Sequence, residues 1–197
     1  MSDDPYVYAG TNVLKNKFGI LDQGRLDKQE RRYVLERIRQ GVPPGDFDLA
    51  HLKAIHHHLF QDVYDWAGQI RAVEISKGGE QFQFRQYIVT GMADVHKRIV
   101  AGRYFKGMSV AQFAKHASVI IGDVNHVHPF REGNGRTQLQ YLKLLAERAG
   151  HKIDLTKLQP DAWIAASKAA NAASYQPMEK AIGSAMASTG KATHDQC

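Results

Sequence analysis

Apolar residues at helical spacing dominate this chain and limit the folds open to it. Leu49, Leu52, Ile55 and Leu59 recur every three or four residues, and Asp48 before them is a favourable helix N-cap. The same spacing, or a high alanine content near the C-terminus, predicts helices over residues 22–40, 48–66, 86–100, 109–125, 135–149, 161–171 and 175–186, and a short one over 11–18. The chain is therefore predicted to be mainly α.

One segment departs from the helical spacing. Residues 69–76, QIRAVEIS, alternate apolar and polar side chains, and residues 81–84 alternate again. Lys77, Gly78, Gly79 and Glu80 between them form a turn-like sequence. We therefore predict one short β-hairpin among the helices.

Size and composition exclude several classes of protein. With 197 residues, 43% of them hydrophobic, the chain can bury a core without disulfides or metal ions. Its apolar stretches are too short to span a bilayer, and the acidic N-terminus does not resemble a signal peptide. Because the single cysteine, Cys197, is the last residue, we expect a cytoplasmic protein in a reducing compartment. Residues 188–197 are expected to form a disordered tail.

The charge of the chain is compatible with an anionic ligand. Lysine and arginine outnumber aspartate and glutamate by 26 to 20, which gives a net charge of +6. Such a balance suits a nucleotide, a nucleic acid or an acidic protein surface, and it can also serve solubility alone. The basic residues are scattered without a long run, so direct binding of nucleic acid is not expected.

The loop HPFREGNGRT, residues 128–137, carries the residues suited to chemistry. His128 can act as a general base near neutral pH, and Glu132 offers a carboxylate that suits Mg²⁺. Gly133 and Gly135 permit close approach of a ligand to the backbone where a new helix begins, and free N–H groups there attract anions. Arg136 in the first turn adds a charged donor for phosphate oxygens.

Other histidines and the loop phenylalanine have structural interpretations. His56, His57 and His58 are consecutive in a predicted helix and point about 100° apart, so they cannot bind one metal ion together. The pair His126 and His128 lacks further ligands at recognisable spacing. Phe130 is expected to fill the core and anchor the loop.

These stretches resemble a known family. The loop matches the Fic signature HxFx(D/E)GNGRxxR through His128, Phe130, Glu132, Gly133, Asn134, Gly135 and Arg136. Residues 55–71 resemble the family's region before its hairpin, EISKGGEQF resembles its "flap", and residues 4–20 resemble the start of the small bacterial FicT toxins. The resemblance covers about residues 5–185 and implies one Fic-type helical domain over residues 1–187.

The resemblance implies a protein adenylyltransferase that moves AMP from Mg-ATP to a Ser, Thr or Tyr hydroxyl of a target protein. By this analogy His128 would take the hydroxyl proton and Glu132 would hold Mg²⁺. The phosphate chain would be bound by Gly133, Asn134, Gly135 and Arg136. The flap would clamp the target segment as an added strand through Ile75, Ser76, Lys77, Gly78 and Gly79.

Two features differ from the common family pattern. The pattern places a second arginine where this chain has Leu139. The replacement would remove a contact to the γ-phosphate, and the leucine side chain could simply pack in the core. The inhibitory motif (S/T)xxxE(G/N) of many relatives is absent from the sequence. In lacking this motif the chain resembles the toxins that are inhibited by a separate small antitoxin protein. The targets of such FicT-like toxins are DNA gyrase and topoisomerase IV.

Three classes of function stay open. The first is AMP transfer. The second is a Fic-fold enzyme that moves a phosphate or another nucleotide; the intact Gly135 argues against the phosphate-transferring relatives, which have a larger residue there. The third is a degenerate or non-enzymatic Fic protein, or a weakly active one because of Leu139; the intact His128 argues against loss of activity.

Overall fold

The computed structural model describes residues 4–186, except for the side chain of Glu80. Seven α-helices and one two-stranded hairpin form the architecture of these residues. The helices are α1 Gln23–Arg39, α2 Leu49–Phe60, α3 Ile88–Ala101, α4 Val110–Val127, α5 Asn134–Ala149, α6 Pro160–Asn171 and α7 Gln176–Met186. The antiparallel strands are β1 Ser76–Lys77 and β2 Glu80–Gln81, and 3₁₀ turns lie at Arg85–Tyr87, Arg103–Phe105 and Leu155–Lys157. The prediction of a mainly α fold with one hairpin is confirmed.

Local sequence explains where the helices begin and end. The carboxylate of Asp48 accepts a hydrogen bond from the backbone N–H of His51 at 2.8 Å, which caps α2. Ser109 and Gln112 form a reciprocal capping box at the start of α4. Helix α5 ends at Gly150, whose positive φ of 94° suits glycine.

Helix α4 lies at the centre of the molecule. It packs against α3, α5, α6 and α7, while α2 packs against α1 and α5. Fully buried aromatic side chains fill the space between these helices, among them Phe60, Phe113, Phe130 and Tyr141. The prediction that Phe130 fills the core is confirmed, and the loop that contains it is therefore anchored between α4 and α5.

The predicted helix over residues 11–18 is wrong. The backbone of residues 4–20 instead makes turns and an isolated antiparallel bridge between Val7 and Leu14. The buried side chain of Asn16 holds this segment, because its amide donates to the carbonyls of Leu14 and Ile20. A side chain that bonds its own neighbouring backbone competes with helix formation.

The predicted second helix ends earlier than residue 66. Helix α2 stops at Phe60, and the chain then turns back over the helix. His56 on α2 accepts a hydrogen bond from the N–H of Gly68 at 2.7 Å, and His57 contacts the carbonyl of Ala67 at 3.1 Å. These long-range contacts of the histidine run stabilise the turn, which confirms its structural role.

The strands are shorter than the predicted runs over 69–76 and 81–84. Only two residues on each side pair with each other. The flanking backbone pairs with the end of α4 and the loop after it: the N–H of Arg71 donates to Pro129 O at 2.9 Å, and that of Gln83 donates to His126 O at 3.0 Å. The expected tail over residues 188–197 lies outside the described residues. Within residues 4–186, the helices lack the combination of length and apolar character that crossing a membrane requires.

Candidate active site

A cavity of about 460 Å³ opens where the hairpin, the loop after α4, the start of α5 and helix α6 meet. Most of the predicted site residues line it: Ile75, Ser76, Lys77, His128, Glu132, Asn134 and Gly135. Gly133, Arg136, Gly78 and Gly79 lie beside the cavity rather than in its lining. The structure thus brings the loop and the predicted flap to one place.

His128 ends α4 in a left-handed backbone conformation, with φ 47° and ψ 63°. Its Nδ1 lies 2.9 Å from the carbonyl oxygen of Asn125. Because a carbonyl only accepts hydrogen bonds, this contact assigns the ring proton to Nδ1 and leaves the lone pair on Nε2. The imidazole is therefore arranged to accept a proton through Nε2.

The environment of His128 keeps its ring neutral. The ring of Phe82 stacks on it, with 3.7 Å between centroids and 17° between planes. The pKa of His128 is lowered to about 4, mainly by burial and in smaller part by the charges of Arg71 and Lys77, while Asn125 and Glu132 act in the opposite direction. At neutral pH the histidine is consequently a free base.

Two side chains hold the loop between His128 and α5 in shape. The amide of Asn134 donates to Phe130 O at 2.7 Å and accepts from Phe130 N at 3.0 Å. The buried ring of His56 stacks on Phe130 at 3.9 Å, and its Nε2 donates to Glu132 O at 2.9 Å. Asn134, predicted as a phosphate-binding residue, therefore uses its side chain to fix the loop and has its backbone N–H at the start of α5.

The charged residues of the loop form a small network. The guanidinium of Arg136 pairs with the carboxylate of Glu30 on α1 and lies 3.3 Å from Glu132 Oε1. It also stacks 4.7 Å from the ring of Phe60. Glu30 is buried and accepts a further hydrogen bond from the hydroxyl of Tyr64. In this arrangement Arg136 faces α1, at the edge of the cavity.

The start of α5 has the properties of an anion site. Gly133 has a φ of 83° and lies against Phe60, so that a Cβ at this position would overlap the ring. Gly135 has open space where a Cβ would lie and lines the cavity. Backbone N–H groups of this first helical turn have no helical acceptor, which makes them suitable for phosphate oxygens. The N–H of Gly133 itself donates to Glu132 Oε1 at 2.8 Å.

The donor set fits a magnesium–nucleotide complex. The Glu132 carboxylate is about half exposed at the cavity wall. In residues 4–186 no three His, Cys, Asp or Glu side chains cluster to form a closed protein site. One carboxylate beside an anion site matches the way Mg²⁺ is usually held, by one or two carboxylates together with phosphate oxygens of a substrate.

The hairpin forms one wall of the cavity. Ser76 and Lys77 of β1 are exposed and pair with β2 along one edge. Gly78 and Gly79 make the turn with φ values of 62° and 84°. Leu139 is half-buried and packs against the hydrophobic core, outside the lining of the cavity.

Helix α6 and the second turn of α5 supply cavity residues that the sequence did not indicate. Trp163, Ser167 and Lys168 contribute from α6, and Gln138 from α5. Gln138 is 2% exposed, and its amide nitrogen has no hydrogen-bond partner among the described residues. A buried donor of this kind is suited to an acceptor of a bound ligand. The only sequence signal for α6 was its alanine content, which marks no functional face.

Known proteins resemble both the sequence and the fold. Residues 46–146 match the Fic/DOC family. The probable protein adenylyltransferase y4lH of Sinorhizobium fredii is 43% identical over 159 residues, 80% of this chain and 83% of the relative. The probable protein adenylyltransferase Fic of Escherichia coli is 31% identical over 163 residues, 81% of this chain and 80% of the relative.

A solved structure extends the likeness to three dimensions. The crystal structure of BepC, a VirB-translocated effector from Bartonella tribocorum with bound AMPPNP, aligns with a TM-score of 0.85 and 27% identity, covering 95% of this chain and 98% of that one. The named relatives are protein adenylyltransferases, and the match spans the loop and the hairpin described above. The chain is therefore a nucleotidyltransferase that belongs to the Fic/DOC family.

Proposed function

We propose that this enzyme transfers AMP from Mg-ATP to a Ser, Thr or Tyr hydroxyl of a target protein. The observation that carries the proposal is the position of His128. Its unprotonated Nε2 is available in a cavity that also contains the Glu132 carboxylate and the first turn of α5. A base, a metal ligand and an anion site in one cavity are what transfer from a nucleoside triphosphate to a hydroxyl requires.

His128 is the catalytic base of the proposed reaction. Its Nε2 accepts the proton of the target hydroxyl while the hydroxyl oxygen forms a bond to the α-phosphorus. The bond from the α-phosphorus to the β-phosphate bridging oxygen breaks, and pyrophosphate leaves with the electron pair. The lowered pKa of His128 keeps the base ready at neutral pH.

The start of α5 and Glu132 hold the phosphates. Backbone N–H groups near Asn134 and Gly135 orient the phosphate oxygens, and the positive end of the helix dipole favours their charge. Glu132 would hold Mg²⁺, which neutralises charge on the phosphate chain. Gly133 and Arg136 would have to exchange partners to join the predicted phosphate-binding set, because the N–H of Gly133 donates to Glu132 and Arg136 pairs with Glu30.

The nucleoside and the target occupy opposite sides of the cavity. We assign the nucleoside to the wall formed by Gln138 and α6 and the target segment to the hairpin. Ile75, Ser76, Lys77, Gly78 and Gly79 offer backbone groups to an extended target segment, as in β-strand addition. This placement brings a target hydroxyl next to His128, because the hairpin residue Phe82 contacts its ring.

Labelled ATP tests the proposal. The purified protein is incubated with bacterial lysate and Mg-ATP labelled on the α-phosphate in one reaction and on the γ-phosphate in another. Label in a protein band only from the α-position supports AMP transfer. Label from the γ-position would replace it by a phosphate transfer, and equal label from both would indicate transfer of the whole triphosphate.

The same proposal extends to the biological role suggested by the sequence. We propose DNA gyrase and topoisomerase IV as first targets to test, and a small antitoxin protein as the inhibitor that the chain lacks in its own sequence. The site would then operate in the cytoplasm. Incubation of each purified topoisomerase with α-labelled ATP tests the targets, and absence of label on both while another lysate protein is labelled would reject them.

A further inference from the structure

The buried side chain of Arg71 joins segments that the proposed mechanism treats separately. Its side chain is fully shielded from solvent. Its Nε donates to His128 O at 2.9 Å, Nη1 donates to Val73 O at 2.7 Å, and Nη2 donates to Gln83 O. Nη1 also contacts the carboxylate of Glu74 at 3.2 Å. Every nitrogen of the guanidinium is therefore engaged.

The acceptors of Arg71 lie on both sides of the hairpin and at the start of the loop between α4 and α5. Val73 lies in the chain that leads into the hairpin, and Gln83 lies in the chain that leaves it. His128 is the catalytic base itself. The backbone N–H of Arg71 adds a fifth contact by donating to Pro129 O at 2.9 Å. One residue thus fixes the distance between the base of the hairpin and the loop.

His128 needs such a support because of its backbone conformation. A non-glycine residue at φ 47° is uncommon, and such conformations persist where the surrounding structure holds them. Arg71 holds the carbonyl of His128, Asn125 holds its Nδ1, and Phe82 covers its ring face. Of these three contacts, only those of Arg71 and Phe82 connect His128 to the hairpin.

A purely structural role would also explain a buried arginine that satisfies backbone carbonyls. That interpretation predicts a loss of stability and nothing specific at His128. The direct contact of Nε with the carbonyl of the catalytic base argues for more, because displacement of a catalytic group by about 1 Å can reduce a rate about a hundredfold.

We infer that Arg71 is a positioning residue that sets His128 in register with the target segment bound on the hairpin. The inference rests on the proposed AMP transfer for its kinetic consequence. Its structural consequence, the placement of the His128 imidazole, is independent of any substrate.

Two substitutions with two measurements test this inference. In Arg71→Met, we expect kcat for AMP transfer to fall about a hundredfold while KM for ATP changes by less than about threefold. We also expect the ¹⁵N resonances of the His128 imidazole, assigned by comparison with His128→Ala, to move. Arg71→Lys keeps the charge and part of the donor set, so it should recover part of kcat.

Arg37→Met is the matched control. Arg37 forms a half-buried pair with Asp62 at 2.6 Å, between α1 and the turn after α2. We expect this variant to lower the unfolding midpoint and to leave kcat and the His128 resonances unchanged.

Each outcome decides the inference. An Arg71→Met protein that is folded at the assay temperature with unchanged kcat would overturn it. If Arg71→Met does not fold, Arg71→Lys decides alone: reduced kcat and shifted His128 resonances support the inference, and wild-type values reject it. If the wild type transfers no AMP, the proposed function fails, and the His128 resonances of the two variants still decide the role of Arg71.

Discussion

The imidazole of His128 lies flat against the ring of Phe82, with 3.7 Å between their centroids. Phe82 follows the second strand of the hairpin, and His128 ends α4, so this contact joins two parts of the chain 46 residues apart. The contact covers one face of the His128 ring, and the proposed reaction needs this ring unprotonated. The stacking therefore links the position of the hairpin to the proton affinity of His128.

Replacement of Phe82 by alanine should raise the pKa of His128. Burial is the main cause of its lowered value of about 4, and loss of the covering ring admits water, so the pKa should move upward toward the ordinary 6.5. An NMR titration of the His128 imidazole measures this directly. Phe84→Ala is the control, because Phe84 is exposed on the same segment and should leave the value unchanged. An unaltered His128 pKa in Phe82→Ala would contradict this explanation.

Acid should destabilise the protein through the buried His56 and the half-buried His128. His56 and His128 both have pKa values of about 4 in the folded state and about 6.5 when unfolded, so the unfolded chain binds more protons between these values. The free energy of unfolding should therefore fall as the pH drops from about 6.5 toward 4. For His56 alone the loss by pH 4.5 is about 2 to 3 kcal/mol.

Urea unfolding of His56→Gln checks this prediction at pH 7 and pH 4.5. Glutamine can still donate to the carbonyl of Glu132 and does not titrate, so the difference between the two pH values should shrink by that amount. His126→Gln, a change at an exposed histidine, should keep the wild-type difference. Equal pH dependence in His56→Gln and the wild type would reject the assignment to His56.

An arginine in place of Leu139 should increase AMP transfer. Leu139 is half-buried one turn after the start of α5. By the resemblance to the family pattern, an arginine at this position would reach the γ-phosphate. A charge-assisted contact of this kind contributes about 1.5 to 3 kcal/mol, or roughly ten- to a hundredfold in rate or affinity. Leu144→Arg, at another half-buried leucine of α5, controls for the loss of packing. Unchanged or lower transfer in Leu139→Arg would count against this prediction.

Gln138 should contribute to nucleotide binding. Its amide nitrogen is buried beside the cavity without a partner among the described residues, so a bound nucleotide can provide the acceptor. Methionine has a similar shape without the donor, and Gln138→Met should weaken ATP binding roughly three- to tenfold. Calorimetry with Mg-ATP measures the affinity. Gln140→Met changes a buried glutamine of α5 outside this cavity and should bind ATP like the wild type.

Local sequence was sufficient to predict the seven α-helices of residues 4–186, the presence of the hairpin and the candidate loop, although not every boundary. The caps at Asp48 and Ser109 and the stop at Gly150 act within a few residues, so they are readable without a structure. The loop from His128 to Arg136 is contiguous, and its residue types alone indicate a base beside an anion site. Because these candidate residues are neighbours in the chain, the sequence alone was enough to propose them as one site.

Long-range contacts account for what the sequence did not predict. The early end of α2 is accompanied by a hydrogen bond from the N–H of Gly68 to His56. The backbone that flanks the short strands bonds to the end of α4 and to the loop after it. Arg71 and Phe82 act on His128 from the hairpin segment, and nothing in their local sequence indicates it. Contacts between distant residues arise from packing, to which local patterns give no access.

The central claim is tested most directly by comparing the wild type with His128→Ala at pH 7. Both proteins receive ATP labelled on the α-phosphate and a target protein identified in the lysate experiment, and transfer of label to the target is measured. His126→Ala, two residues away and exposed, is the matched control. The account predicts that label transfer falls about 10²- to 10⁴-fold in His128→Ala and stays at the wild-type level in His126→Ala. Label transfer by His128→Ala at the wild-type rate would contradict the assignment of His128 as the catalytic base.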